Sequence, residues 1–344
     1  ADLDAGPVVV VTDRAHHHEA HGQGRVDALL TGRSLDEVGA RHHADERGPR
    51  DVTQGAEFAG REDRFDMGIA AGLTECAHLV VETLPVAGQD LAAGDDDIDL
   101  VSICTPTDTH IDLAIQALEA GKHVLLEKPV ALSSAEVDRL QAVDDATDRL
   151  CMPAMCMRFW PGWSWLHETI RTGKLGTVTS AYFQRIGASP GWSQDFYLDE
   201  QRSGGALTDL HVHDADFIIA TFGMPAEVST CGTRSQLVTQ YRYPDGPPTV
   251  MAEAAWYPDP GYPFQMKYRV GFEDSVADFD LSRQQAPLIL YRGGETQEIS
   301  IPDINGYDAE VRHILESVQR NESSIQPDLA EAVRVTRLLE AEAR

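Results

Sequence analysis

From Asp97 onward, apolar and polar positions repeat at periods that name the elements. Ile98–Cys104 alternates and is rich in β-branched residues, which predicts a strand ended by Thr105-Pro106. Ile111, Ile115 and Leu118 fall at helical spacing, and Gly121 supplies the stop. His123–Leu126 reads as a short buried strand, and Ser133-x-x-Glu136 as a capping box opening a helix through Val137, Leu140 and Val143. Strand–helix–strand–helix at this spacing predicts a βαβ unit with parallel strands.

Past Met155 the texture changes. A helix carries Trp163, Leu166 and Ile170 and stops at Gly173, and Val178–Ile186 alternates as a strand. A further helix is expected after Gly204-Gly205, running to about Thr221. Strand-like runs follow at Glu227–Cys231, Leu237–Tyr243, Thr249–Trp256, Met266–Phe272, Val276–Leu281 and Glu298–Ile301. Their short links favour an antiparallel sheet. Two helices close the chain, Asp308–Gln319 and one with Pro327 in its first turn. The pattern predicts an α/β protein: a parallel-sheet domain over 1–150, then an α+β domain over 151–344 built on one large sheet. Residues 1–92 are poorly periodic, with only Val8–Val11 and His78–Leu84 strand-like, and hold seven of the thirteen histidines.

Length agrees, since 344 residues exceed one ordinary core. No apolar run has the length of a membrane span, and the acidic start Ala1-Asp2-Leu3-Asp4 is unlike a secretory signal. Charge changes the picture most. The formal net charge is −28, and the lysines are only Lys122, Lys128, Lys174 and Lys267. Such self-repulsion implies a high-salt cytoplasm, which a melting temperature rising with molar KCl would support, and it disfavours nucleic acid as a partner. Five cysteines without a C-x-x-C spacing read as reduced thiols in a cytoplasmic protein.

Three segments can carry chemistry. Glu127-Lys128-Pro129 directly follows a parallel strand, and ligands of α/β proteins bind at such strand ends. Lys128 can aim an ammonium into the crevice and Glu127 can hold a cationic partner or a ribose hydroxyl; a solvated surface ion pair is the plainer alternative. Thr105-Pro106-x-x-x-His110 ends the neighbouring strand, as a nucleotide-contacting loop or an ordinary turn. The third is Gly204-Gly205-Ala206-Leu207-Thr208-Asp209-Leu210-His211-Val212-His213-Asp214-Ala215-Asp216. There Asp209 and His213, four apart, share a helical face, so the carboxylate can orient the imidazole as a general base. The paired glycines permit close backbone approach to a ligand, and a capped, solvated helix is the alternative. No metal is expected. His211 and His213 face different sides of a helix, and His16-His17-His18-Glu19-Ala20-His21 lacks the H-E-x-x-H spacing.

Together the three segments resemble the Gfo/Idh/MocA family of NAD(P)-dependent sugar and cyclitol oxidoreductases. Arg158-Phe159-Trp160-Pro161, Gly173-Lys-Leu-Gly176 and Phe222-Gly223-Met-Pro225 fit as well, and the likeness covers roughly Asp95 to the C-terminus. It implies a Rossmann-like domain followed by an open, mostly antiparallel sheet that often forms an oligomer interface, hence a homo-oligomer, dimer or tetramer. It implies NAD or NADP bound near Thr105, Pro106, His110, Glu127 and Lys128, and hydride exchange with a secondary alcohol of a sugar, sugar acid or inositol-like polyol. His213 is then the acid/base, Asp209 its orienting carboxylate, and Lys128 the stabiliser of the developing alkoxide. Arg158, Gln184, Arg185 and Trp192 are expected in the polyol pocket. A cofactor-retaining lyase or glycosidase, or a binding subunit without cofactor, are the alternatives. His211 departs from the small residue that many members carry and is expected to crowd or tune the pocket.

A second departure is the missing G-x-G-x-x-G. Val8–Val11 runs into Thr12-Asp13-Arg14, and no strand precedes Gly22-Gln23-Gly24. Either residues 1–92 form an atypical nucleotide half-site, or the stretch is a shifted reading frame; resequencing the codons for residues 80–100 decides.

Overall fold

The computed structural model describes the backbone of residues 8–12 and 83–84, and residues 98–344 apart from 192, 193, 284 and the side chains of 194 and 195. Two sheets carry the fold. The first contains β1 (Val8–Thr12), β2 (Thr83–Leu84), β3 (Leu100–Cys104), β4 (His123–Leu126) and β5 (Cys151–Pro153). Its order is β2-β1-β3-β4-β5 and every pairing is parallel. β4 is buried along its whole length, which is why His123–Leu126 reads as a continuous apolar run rather than an alternation. Helices α1 (His110–Glu119) and α2 (Ser134–Asp144) connect these strands. Half of the capping box forms as expected, the Glu136 N–H donating to the Ser133 hydroxyl; the Glu136 carboxylate accepts from that hydroxyl at 2.8 Å, not from the Ser133 backbone N–H.

The second layer opens with α3 (Pro161–Arg171) and β6 (Val178–Ala188), two short helical turns at Gln194–Tyr197 and Glu200–Ser203, then α4 (Ala206–Asp209) and α5 (His211–Phe222). Seven strands follow: β7 (Glu227–Thr233), β8 (Gln236–Arg242), β9 (Thr249–Tyr257), β10 (Gln265–Phe272), β11 (Ser275–Asp280), β12 (Leu288–Arg292) and β13 (Glu295–Glu298). The sheet runs β13-β12-β11-β10-β6-β9-β8-β7 and is antiparallel except between β6 and β9. On β6, Ala181, Phe183 and Arg185 are buried beneath the helices, while Ser180, Tyr182 and Gln184 are half-buried on the other face. Trp163 of α3 packs edge-on against Phe217 and Tyr268, with ring centroids 4.9 and 5.3 Å away.

The chain closes with α6 (Gly306–Gln319) and α7 (Leu329–Glu342). α7 serves both layers. Leu329, Ala332 and Val333 join the core around Val137 and Leu140, while Val335, Leu338 and Leu339 join the core under the large sheet. The helix thereby ties the two layers together.

The structure corrects several expectations. Strand β12 lies where none is expected, and the run at Glu298–Ile301 belongs to β13 only through Glu298. The overlooked signal is Gly293-Gly294, both left-handed at φ 61° and 84°, a two-residue hairpin turn. Pro327 lies outside the last helix, whose cap is Asp328. The helix after Gly204-Gly205 is interrupted at Leu210. Of the run His78–Leu84 only Thr83–Leu84 is described, as a strand.

Candidate active site

The site lies at the carboxyl ends of β3 and β4, where parallel strands deliver side chains into the crevice. The Glu127 N–H still donates to Ile103 O at 3.0 Å, so the sheet continues to Glu127 and turns at Lys128. The Lys128 N–H donates to Glu127 Oε2 at 3.0 Å. Its Nζ reaches Asp209, donating to Oδ1 at 2.9 Å and to the backbone O at 3.1 Å. Lysine and aspartate come from opposite layers, 81 residues apart in sequence. Burial works against the Lys128 ammonium, but Asp209 and Glu127 outweigh it and hold its pKa above the ordinary lysine value.

Beside them, β3 is followed by Thr105, whose hydroxyl accepts from Thr109 Oγ1 at 2.6 Å. His110 is buried, with Nε2 2.7 Å from Thr105 O and Nδ1 2.9 Å from Pro129 O. Both ring nitrogens face backbone carbonyls, so His110 braces the Thr105-Pro106 loop against the Lys128-Pro129 turn and offers no ring nitrogen to a ligand. Among the described groups, the Thr105 hydroxyl, the Thr105-Pro106 turn, the Glu127 carboxylate and the Lys128 ammonium have the chemistry to hold a dinucleotide's ribose and nicotinamide end. The segment where a pyrophosphate-cradling glycine turn is expected lies outside the described residues.

His213 is buried on α5. The break at Leu210 separates it from Asp209: the His213 N–H donates to Leu210 O at 3.3 Å, three residues back, while Asp209 O accepts from Lys128. Asp209 is therefore the partner of Lys128, and among the described residues no Asp209–His213 hydrogen bond forms. The neighbour of His213 Nδ1 is the buried thiol of Cys156, at 3.9 Å. Its Nε2 meets no protein partner among the described residues. Burial and the positive charges of Lys128 and Arg185 push the His213 pKa well below the ordinary histidine value, so the ring is neutral near pH 7.

The expected pocket residues are mostly engaged elsewhere. Arg158 makes a two-pronged pair with Asp216 at 2.6 and 2.9 Å and a third contact with Glu331 at 2.6 Å, pinning α5 to α7. Arg185 is fully buried, pairs with Asp214 at 3.2 Å and lies over the Trp163 ring. The Gln184 amide donates to Glu253 Oε2 at 2.7 Å on the half-buried face of the sheet. Trp192 lies outside the described residues. His211 does not crowd the pocket: it turns to Tyr241 OH at 2.9 Å and Glu342 Oε2 at 2.8 Å. Burial opposes a charge on His211, but Glu342 outweighs it and raises the pKa. Gly204 and Gly205, both left-handed, are required by the chain itself. A Cβ at Gly204 would collide with the Thr208 side chain, and one at Gly205 would lie 2.9 Å from Arg234 O.

Two groups escape sequence reading. Cys156 carries no motif, and Glu310 sits one turn into an ordinary amphipathic helix. Glu310 is fully buried with neither carboxylate oxygen partnered among the described residues. Burial, reinforced by Glu127, pushes its pKa well above the carboxylate range. Among the described residues no His/Cys/Asp/Glu cluster could hold a metal, and no helix is long and apolar enough to cross a membrane.

Residues 69–155 match the profile "Oxidoreductase family, NAD-binding Rossmann fold", and residues 163–259 match the "GFO/IDH/MocA C-terminal domain". The first match begins well before Asp95, inside the stretch without a recognisable fingerprint. A scyllo-inositol 2-dehydrogenase (NAD(+)) of Bacillus subtilis (strain 168) is 28% identical over 68% of this chain and 72% of its own length. An inositol 2-dehydrogenase of Rhizobium meliloti (strain 1021) is 34% identical over 41% of this chain and 42% of its own. The first curated relatives, uncharacterized oxidoreductases of Rhizobium meliloti and Escherichia coli (strain K12), are matched over only 37% and 40% of their lengths. A levoglucosan dehydrogenase solved with NADH shares the fold at TM-score 0.69 over 98% of this chain and 96% of its own, with 17% identity. With both halves of the chain matched in order and the parallel and open sheets in place, the protein belongs to the Gfo/Idh/MocA oxidoreductase family.

Proposed function

We propose that the chain is an NAD(P)-dependent dehydrogenase acting on a secondary alcohol of a sugar, sugar acid or inositol-like polyol. One observation carries the reading: a protonated Lys128 held by Asp209 beside a buried, neutral His213 whose Nε2 meets no protein partner among the described residues. Alcohol oxidation needs these two groups together, a base for the hydroxyl proton and a cation for the oxygen as it gains negative charge.

The nicotinamide, when bound, supplies the hydride acceptor. His213 Nε2 receives the hydroxyl proton. Lys128 donates a hydrogen bond to the same oxygen, and Asp209 positions the lysine by accepting from it twice. Glu127 and the Thr105-Pro106 turn hold the cofactor at the strand ends, and His110 keeps those two turns at a fixed spacing. Burial of His213 keeps the base unprotonated in the free protein. The inositol dehydrogenases among the relatives support the polyol class.

The test is a screen of inositols, aldoses and aldonates with NAD⁺ and NADP⁺ in molar KCl, alongside Lys128→Ala and His213→Ala. The expected outcome is cofactor reduction by the wild type, with each variant lower by about 10²–10³-fold. Activity surviving both substitutions overturns the assignment, and tightly retained cofactor without net reduction favours the lyase alternative.

A further inference from the structure

Asp209 is spent on Lys128, so something else must set the orientation and tautomer of His213. We propose that Cys156 is that positioning residue: its sulfur accepts the Nδ1–H of His213 and leaves Nε2 unprotonated toward the alcohol. The role rests on the dehydrogenase reading of the site.

Three observations converge on the pair. Cys156 follows β5 in a short helical turn, Cys156–Arg158, while His213 belongs to α5; both side chains are buried, and the Sγ–Nδ1 separation is 3.9 Å. Nδ1 has this sulfur as its neighbour, whereas Nε2 has no protein partner among the described residues. A neutral imidazole carries one N–H. A buried orphan N–H is rarer and costlier than an under-used lone pair, so the hydrogen belongs on Nδ1, where a soft acceptor meets it. Burial, with Glu310 adding to it, keeps the Cys156 thiol protonated, so the pair is neutral and buries no charge.

The step balances without the thiol reacting. The substrate O–H bond breaks and an Nε2–H bond forms, while the carbinol C–H electron pair leaves as hydride to NAD(P)⁺. Nδ1–H stays on sulfur throughout, so the imidazolium formed in the step keeps its one fixed contact. With the other tautomer, Nε2 would already hold a hydrogen and could not accept the proton.

The test reads the tautomer directly, by long-range ¹H–¹⁵N correlation of the imidazole rings near pH 7.5 in the intact chain. His213 is assigned by the signals lost in His213→Gln. The expected result is protonated Nδ1 and bare Nε2 in the wild type and in Cys156→Ser, and a mixed or inverted tautomer in Cys156→Ala. An Nε2–H wild type, or an Ala variant with unchanged spectra, overturns the proposal. On a polyol that the wild type oxidises, kcat of Cys156→Ala falls about tenfold or more with KM nearly unchanged, since only correctly protonated rings react, and serine restores it. The spectra need neither substrate nor cofactor. A chain inactive on every polyol would thus refute the dehydrogenase reading while the tautomer result stood separately.

Discussion

His211 and His213 lie two residues apart on one helix, both buried, yet their surroundings drive them in opposite directions. His211 faces away from the crevice, into the gap between β8 and α7, where Glu342 lies 2.8 Å away and raises its pKa. His213 faces Cys156, with Lys128 and Arg185 nearby, and is pushed well below its ordinary value. Burial disfavours the charged form in both places, so the sign is decided by what else is buried alongside. The one beside a carboxylate is favoured in its charged form; the other, among cations and a thiol, is held neutral and is the base of the proposed reaction. A two-residue step along a helix turns a side chain by about 200°, which suffices to separate a brace from a reactive group.

The comparison predicts its largest effect on rate. His213→Gln lowers kcat/KM by about 10²–10⁴-fold, the usual contribution of a general base. His211→Gln leaves KM and kcat within about threefold and shows its effect in the melting temperature. Steady-state kinetics and thermal unfolding of the two variants side by side check this, and equal loss of activity in both would erase the contrast.

The next effect is on stability. Glu342→Ala removes the carboxylate that favours the charged form of the buried His211 and costs about 3–5 kcal/mol where that histidine is protonated, below its unfolded value. The sign with pH follows from the direction of the shift. A histidine with a raised folded pKa contributes its full stability below its unfolded value near 6.5 and loses it as pH rises through the folded one. The gap between wild type and Glu342→Ala is therefore wide at pH 6 and narrows on the alkaline side. Denaturant melts at three pH values measure it, and a gap that widens with pH contradicts the pairing.

The strand–helix spacing from Ile98 to Val143 suffices to predict the parallel layer, because β-branched runs and a capping box are local signals. Lys128 is legible as a strand-end residue for the same reason. The partnership of Asp209 is not. Four-residue spacing puts it with His213 on an ideal helix, and nothing local announces that the helix breaks at Leu210 or that a lysine 81 residues earlier takes the carboxylate. Cys156 and Glu310 are invisible for a related reason. Each looks like an ordinary position in its own element, and its meaning comes from two layers closing over it. Arg158 and Arg185 mislead in the opposite way. Their charge suggests a ligand contact, while the fold spends it on Asp216, Glu331 and Asp214.

A smaller effect is expected at Glu310, a buried carboxyl with no counter-charge among the described residues, in contrast to Glu342. Its folded pKa is raised, so it stabilises fully only below the unfolded value near 4.5 and loses that contribution as pH rises through the folded one. Glu310→Gln removes the titration and keeps the shape. The variant is expected to match the wild type at pH 5 and to melt about 2 °C or more above it at pH 8. A variant that melts lower at pH 8 would mean that Glu310 is ionised and paired.

The smallest effect belongs to Gln184, and it separates the two faces of one strand. Neighbouring residues on β6 point to opposite sides of the sheet. Arg185 enters the core under α5, whereas Gln184 lies on the other face and donates to Glu253 on the parallel neighbour β9. On the proposed reading a polyol poised between Lys128 and His213 would sit on the helix side of this sheet, with the Gln184 amide turned away from it by the strand's own pleat. Gln184→Ala then costs a single half-buried hydrogen bond, about 0.5–1.5 kcal/mol in stability, and leaves KM for any polyol substrate within about twofold. A large rise in KM with unchanged melting would place the polyol against the opposite face of the sheet, and the carboxyl ends of β3 and β4 would no longer be where the reaction is done.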